Sequence, residues 1–319
     1  MTAVGQRFEV FAPATVANVG PGFDCFGFSL GEPGDTVSVA VTDTPGVRIT
    51  DLQCDFGDLP IQAELNTAGR AAIHIWSSAP ETAAKHGLDM TLHKGLPLCS
   101  GLGSSAASAV AGAVAAMHAL AASTGAQYDP QKVLDAAFDG ESLASGTPHA
   151  DNIAPALYGG FTIVQSAHPL RIARFEPSLP CRVALVTPDW EISTKHARVI
   201  LPDQVPLRDA VSNWANTASI VLALMTADAE LLRHAMNDRI VEPRRGKMLP
   251  GYEQAKQAAI DAGAYGCSIS GSGPTMFALT PDEPTAQRAC DAMAKAFAHS
   301  GLQSTERISF INPKGAGLI

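Results

Sequence analysis

Residues 97–107 read Pro97-Leu-Cys-Ser-Gly101-Leu-Gly103-Ser104-Ser105-Ala106-Ala107. That spacing suits the binding of an anion. Glycines let a backbone turn tightly and approach a ligand without Cβ clashes. The first N–H groups of a helix are unpaired and, with the helix dipole, favour negative charge. Two serines at the helix start add hydroxyls for phosphate oxygens or Mg²⁺. The same residues also suit a capped turn into a buried helix, with serine satisfying the orphan N–H groups. No Gly-x-x-x-x-Gly-Lys-Ser/Thr occurs. Gly101, Gly103 and Ala106 do satisfy the dinucleotide fingerprint Gly-x-Gly-x-x-Ala. That reading needs a second parallel strand ending in an acid about 20 residues on. Asp129 has roughly this spacing, but residues 118–128 are an Ala/Ser/Thr/Gly linker with no strand, so the context fails.

The elements that must carry this loop follow from periodicity. Phe8 to Ala12 and Thr36 to Thr42 read as strands, the second with Val37, Val39 and Val41 alternating against polar neighbours. Asn66 or Thr67 caps a helix through Ile73 and Trp76. Leu88 to His93 alternates again as a strand, so the loop lies between a strand and a long alanine-rich helix. Asp129-Pro130 is an N-cap with Pro at the first helical position; that helix runs to about Ala144 and is stopped by Gly146. A polar stretch from His149 leads to a strand, Phe161 to Gln165. Further expectations are a strand Val183 to Thr187, helices near Ala210 to Met225 and before Gly263, a strand-loop-strand around Ser270, and a final helix Thr285 to His299. This mixture lacks the regular alternation of a doubly wound sheet. We read α+β, divided into 1–165 and 166–319.

The 319 residues carry 22 basic and 31 acidic side chains, net charge −9, which argues against a nucleic-acid partner. Six scattered cysteines with no Cys-x-x-Cys pair read as reduced thiols. No signal peptide is expected at Met1, and the run Ala106 to Ala122 reads as too weakly apolar to span a bilayer, so we expect no membrane partner and a cytoplasmic protein.

The loop resembles the signature Pro-x-x-x-Gly-Leu-Gly-Ser-Ser-Ala-Ala of the GHMP kinases, a family that includes galactokinase, homoserine kinase, mevalonate kinase and phosphomevalonate kinase. Two further motifs carry the resemblance: Pro13-Ala-Thr-Val-Ala-Asn18-Val-Gly-Pro-Gly-Phe-Asp24 and Gly266-Cys-Ser-Ile-Ser270-Gly-Ser-Gly273-Pro-Thr. They stand in the family's order over almost the whole chain. The stretches from His149 through Asn152 to Gly160, and Ile240-Val-Glu-Pro-Arg-Arg245-Gly, resemble the homoserine kinase branch.

The resemblance implies a two-domain fold, an N-terminal domain like ribosomal protein S5 domain 2 and a ferredoxin-like C-terminal domain. It implies ATP-dependent phosphorylation of L-homoserine, in threonine biosynthesis, and a homodimer. ATP phosphates would lie on Pro97, Gly101, Leu102, Gly103, Ser104, Ser105 and Ala106, with Asn66 near adenine and Lys94 beside the nucleotide. Mg²⁺ would be held by Ser105 and Glu141. Arg198 and Arg245 would take the substrate carboxylate, since guanidinium pairs with it bidentately. Asp24 would take the ammonium, Asn18 the ammonium or the reacting hydroxyl, His149 a further hydrogen bond, and Thr194 would close the site. The catalytic aspartate of mevalonate kinase and galactokinase matches Asn152 here, an amide that cannot act as a base. Direct in-line attack, oriented by Asn152, is the expected mechanism. Another small alcohol as acceptor, or a ligand sensor without turnover, are the competing readings.

Overall fold

Strand β1 (Arg7–Ala17) opens the chain and pairs antiparallel with β2 (Phe26–Thr42), which pairs with β4 (Gly87–His93). β3 (Gly46–Gln53) joins the far side of β4 in parallel. The computed structural model describes residues 3–145, 149–167 and 170–319. The alternation that marks β2 and β4 in the sequence places Val37, Val39, Leu88, Met90 and Leu92 on a buried face. On that face lie α1 (Thr67–Ser77), the single turn α2 (Pro80–Ala83), α3 (Ser104–Thr124), α4 (Pro130–Ser145) and α5 (Ala150–Tyr158).

Alanines let α3 pass close to its neighbours: from Ala106 to Ala116 it is buried throughout. Among the described residues α3 is the one helix long and apolar enough to cross a membrane, where the sequence reading set it below that mark. Its most apolar stretch is 78% buried inside the protein, so its hydrophobicity is spent on the domain core.

β5 (Phe161–Ala167) pairs with β2 and with β6 (Leu170–Phe175), which extends the first sheet. The division expected at 165/166 therefore falls inside β5, and the second sheet begins only with β7 (Arg182–Pro188). After β7 come α6 (Thr194–Val199), α7 (Leu207–Thr226), α8 (Ala229–Ala235), the short α9 (Glu242–Arg245) and α10 (Tyr252–Asp261). β8 (Gly266–Ile269), β9 (Met276–Thr280), α11 (Glu283–His299) and β10 (Ser304–Phe310) complete this half. Its sheet is antiparallel in the order β10-β7-β9-β8, and α10 and α11 pack on it around Phe297, Met293 and Tyr252. The chain then returns to the first sheet, where β11 (Gly317–Leu318) covers the open edge of β1.

The helix starts follow local chemistry. Asp129 Oδ1 accepts from Gln131 N at 3.0 Å and Lys132 N at 3.3 Å, the cap expected there. The expected stop at Gly146 lies outside the described residues. The segment read as a polar stretch from His149 is instead the N-terminus of α5, with His149 at the N-cap and Asp151 in its first turn. Polar residues at a helix start mimic a loop in sequence.

Candidate active site

One cleft of about 410 Å³ lies between the two halves, a size suited to a small ligand. Its floor is the glycine-serine loop. Cys99, Gly101 and Gly103 hold left-handed backbone there, with φ of 53°, 81° and 66°. A Cβ on Gly101 would lie 2.6 Å from the carbonyl oxygen of Ser270, and one on Gly103 would lie 2.7 Å from Asn152 Oδ1. Both positions therefore require glycine.

Gly103 is the N-cap of α3 and no side chain caps the helix. The reading in which serine only satisfies the helix start is thereby overturned. Ser104 turns its hydroxyl inward, where it accepts from Lys94 Nζ at 2.7 Å, and Ser105 is left half-buried on the cleft wall. The open N–H groups and the positive end of a 21-residue helix thus face the cleft. Pro97, Leu102 and Ala106 support this loop from behind. The Pro97 carbonyl accepts from Ser100 Oγ, the Leu102 carbonyl accepts from Thr15 N, and Ala106 is fully buried.

Lys94 lines the cleft, but its ammonium is committed beneath the glycine-serine loop. Its side chain is 2% exposed, and Nζ donates to Asp35 Oδ2, to the Ser104 carbonyl at 3.0 Å, and to Ser108 Oγ at 2.9 Å. Ser108 Oγ in turn donates to Asp35 Oδ2 at 2.6 Å, and Gly95 N donates to Asp35 Oδ1 at 3.1 Å. This buried node ties β2 and the end of β4 to the start of α3. Sequence reasoning missed Asp35 and Ser108. Their signal was a lone acid just before one alternating strand and a lone lysine just after another, which antiparallel pairing of Thr36 with His93 sets side by side.

Asn66 is likewise committed. Its Oδ1 caps α1, accepting from Ala68 N at 3.0 Å and Gly69 N at 3.3 Å, while Nδ2 donates to the Pro60 carbonyl at 3.0 Å. It borders the apolar end of the cleft with Leu59, Pro60 and Leu98, and shapes that end more than it can read a base edge.

Glu141 comes from α4 and is 2% exposed, with Oε1 3.4 Å from His149 Nδ1. That contact raises the His149 pKa against the opposing effect of burial. Asp151, also on the cleft, is buried, which together with nearby Asp24 pushes its carboxyl up to about 7. Asn152 lines the cleft, and its Oδ1 accepts from the buried Thr15 hydroxyl at 2.7 Å. Thr15, which sequence reasoning also missed, is thereby the group that orients Asn152.

At the other end, Arg198 from α6 holds Asp24, with NH1 2.6 Å from Oδ2 and NH2 3.4 Å from Oδ1. Arg245, at the end of α9, is 5% exposed. It donates to the Gly271 carbonyl at 2.7 Å and the Ala197 carbonyl at 3.3 Å, and burial lowers its pKa to about 10. Asn18 Nδ2 donates to the same Gly271 carbonyl at 2.8 Å, and its Oδ1 accepts from Asp24 N at 3.1 Å. Thr194 Oγ1 lies 3.3 Å from Ser272 Oγ. The loop 270–275 between β8 and β9 is stapled to the floor: Ser270 Oγ donates to the Gly101 carbonyl at 2.6 Å, and Thr275 N to the Ser100 carbonyl at 3.2 Å. The fold therefore joins an uncapped helix end suited to an anion, buried carboxylates, and two guanidiniums with a carboxylate beside them.

Residues 66–160 match the GHMP kinases N terminal domain, and residues 220–299 match GHMP kinases C terminal. The homoserine kinase of Chlorobaculum tepidum is 39% identical, with 97% of each chain covered. That of Pyrococcus abyssi is 41% identical over 86% of this chain and 88% of its own. The crystal structure of homoserine kinase from Cytophaga hutchinsonii superposes with a TM-score of 0.90 at 42% identity, covering 100% of this chain and 99% of that one. The mevalonate kinase of L. major shares the fold, with a TM-score of 0.71 at 18% identity over 96% of both chains. With its glycine-serine loop, its two domains and this likeness over its full length, the chain belongs to the homoserine kinase family of the GHMP kinases.

Proposed function

We propose that the protein transfers the γ-phosphoryl group of ATP to the hydroxyl of L-homoserine, giving O-phospho-L-homoserine for threonine biosynthesis. The observation that carries this reading is the uncapped N-terminus of α3 in one cleft with the Asp24, Arg198 and Arg245 cluster. A triphosphate suits the first, and a zwitterion with a carboxylate and an ammonium suits the second.

Phosphoryl transfer asks mainly for alignment and charge neutralisation. The backbone of Gly101 to Ser105 holds the phosphates, with Lys94 acting from below through Ser104. Asn152, held by Thr15, donates to the acceptor oxygen, and Asn18 holds the loop after β1 that carries Asp24. As homoserine enters, its carboxylate takes Arg198 and Arg245, and Asp24 exchanges Arg198 for the ammonium. His149 and Thr194 line the path between. The hydroxyl proton passes late to a phosphate oxygen, which suits a loose transition state.

Glu141 and Ser105 are hard oxygen donors on the cleft and fit Mg²⁺, which takes one or two protein ligands besides phosphate and water. Bound there, the ion would neutralise phosphate charge.

A coupled ADP-release assay with Mg-ATP tests the reading, with L-homoserine, mevalonate, galactose and no acceptor compared. Turnover with homoserine alone is expected; turnover with either other alcohol, or none with homoserine, overturns it. Arg198→Gln or Arg245→Gln should each lose a charge-assisted interaction of roughly 1.5–3 kcal/mol, a rise of about 10- to 150-fold in the KM for homoserine. The KM for ATP should stay unchanged, and a defect confined to ATP would refute the assignment.

The net charge of −9 fits a protein without a nucleic-acid partner, and the burial of the apolar α3 stretch inside the protein fits a cytoplasmic one without a membrane partner. A homodimer is supported by α7, where Leu207, Val211, Trp214, Leu222 and Met225 form an exposed apolar stripe. A helix can lay such a stripe against its own copy about a two-fold axis. Trp214→Glu should convert the dimer to monomer in sedimentation analysis; an unchanged mass places the interface elsewhere.

A further inference from the structure

The loop that follows β1 is held in an unusual conformation. Asn18, Val19 and Asp24 all have left-handed backbone, with φ of 70°, 47° and 54°. Left-handed backbone is costly for a β-branched residue and persists only where its surroundings impose it. Asn18 imposes it here, accepting from Asp24 N with one end of its amide and donating to the Gly271 carbonyl with the other. That carbonyl also accepts from Arg245. The loop and Arg245 thus share one anchor on the second half of the protein.

The clasped loop presents Phe23. The Arg245 guanidinium carbon stands 5.0 Å from the centre of its ring, and that of Arg198 stands 5.3 Å away. Both lie within the range at which a ring face attracts a cation. The Arg198 charge adds to the cost of charging Arg245, so two guanidiniums in one corner call for a partner of opposite charge. Asp24 serves Arg198 alone by hydrogen bonds and leaves the cluster when it turns to an ammonium. A benzene ring takes no N–H group away from either arginine. Phe23 is half-buried and does not line the cleft, so it stands behind the guanidiniums that do.

We propose that Phe23 is a positioning residue, a shared aromatic platform that keeps Arg198 and Arg245 aimed at the carboxylate of the amino-acid substrate. The inference rests on the homoserine reading for the identity of that substrate, and on the ring geometry for everything else. Aromatic character at position 23 is therefore what sets affinity for the carboxylate end, independently of the phosphate end.

Steady-state kinetics of Phe23→Leu and Phe23→Tyr test this. Leucine keeps apolar bulk and loses the ring; tyrosine keeps the ring. Phe23→Leu should raise the KM for homoserine about 5- to 30-fold with the KM for ATP unchanged, and Phe23→Tyr should stay within about threefold of the parent. A parental KM in Phe23→Leu overturns the proposal. So does equal impairment of both variants, or an ATP KM that rises in step, because either makes the ring mere packing. If the parent itself does not turn over homoserine, the functional reading fails, and arginine chemistry decides the platform separately. Phenylglyoxal should then modify Arg198 faster in Phe23→Leu than in the parent and at the parental rate in Phe23→Tyr, followed by peptide mass spectrometry. Equal rates in all three proteins overturn it.

Discussion

Glu141→Gln should slow turnover at saturating ATP and homoserine by at least about 100-fold, the scale of losing one preorganised charge-stabilising group. Glu141 is presented by α4 from within the protein, 2% exposed, and lines the same cleft as the start of α3. Glutamine matches its shape, so the fold and the apolar end of the cleft should survive. What is lost is the negative charge that the proposed Mg²⁺ ligation needs. The Mg²⁺ concentration for half-maximal rate should rise with the fall in rate, and calorimetry should show weaker binding of Mg-ADP than in the parent, with metal-free ADP unaffected. Parental turnover in Glu141→Gln would reduce Glu141 to a partner of His149.

Asp35→Asn should destabilise the protein by about 3–5 kcal/mol, because it strands the Lys94 ammonium in a site from which water is excluded. Both side chains are essentially without solvent, at 0% and 2% exposure. The node they share with Ser104 and Ser108 also sets the height of the α3 N-terminus, so the KM for ATP should rise. The two effects can be separated. Asp35→Leu combined with Lys94→Met removes both charges and should recover most of the stability in urea unfolding. It should not recover the ATP KM, since Ser104 then lacks its anchor. A loss under about 1 kcal/mol in Asp35→Asn would show that the node carries little of the fold.

Much of this was legible in the residues. Strands with a strict alternation, such as Thr36 to Thr42 and Leu88 to His93, and helices with clear caps declare themselves locally. β3, β6 and β10 did not, because they lie at sheet edges or pair outward and their exposure follows no clean period. α5 was hidden by its polar first turn and by Pro155 within it. The glycine-serine loop was legible as a tight turn because its left-handed backbone depends on the glycines themselves. Thr15, Asp35, Ser108 and Phe23 act through another side chain, and nothing in a lone threonine, aspartate, serine or phenylalanine announces which partner the fold will bring.

The staple between the β8–β9 loop and the phosphate loop also has a temporal meaning. The hydroxyl that fixes the Gly101 carbonyl belongs to a residue 169 positions further along the chain. The strand that covers the open edge of β1 is made from residues 317–318. During synthesis the first half can build its sheet, its helices and most of the supports of its glycine-serine loop early, yet the Gly101 carbonyl gains its partner only once Ser270 has been made. The floor of the cleft is thus a joint product of both halves, and the later-made half supplies the bond that closes it.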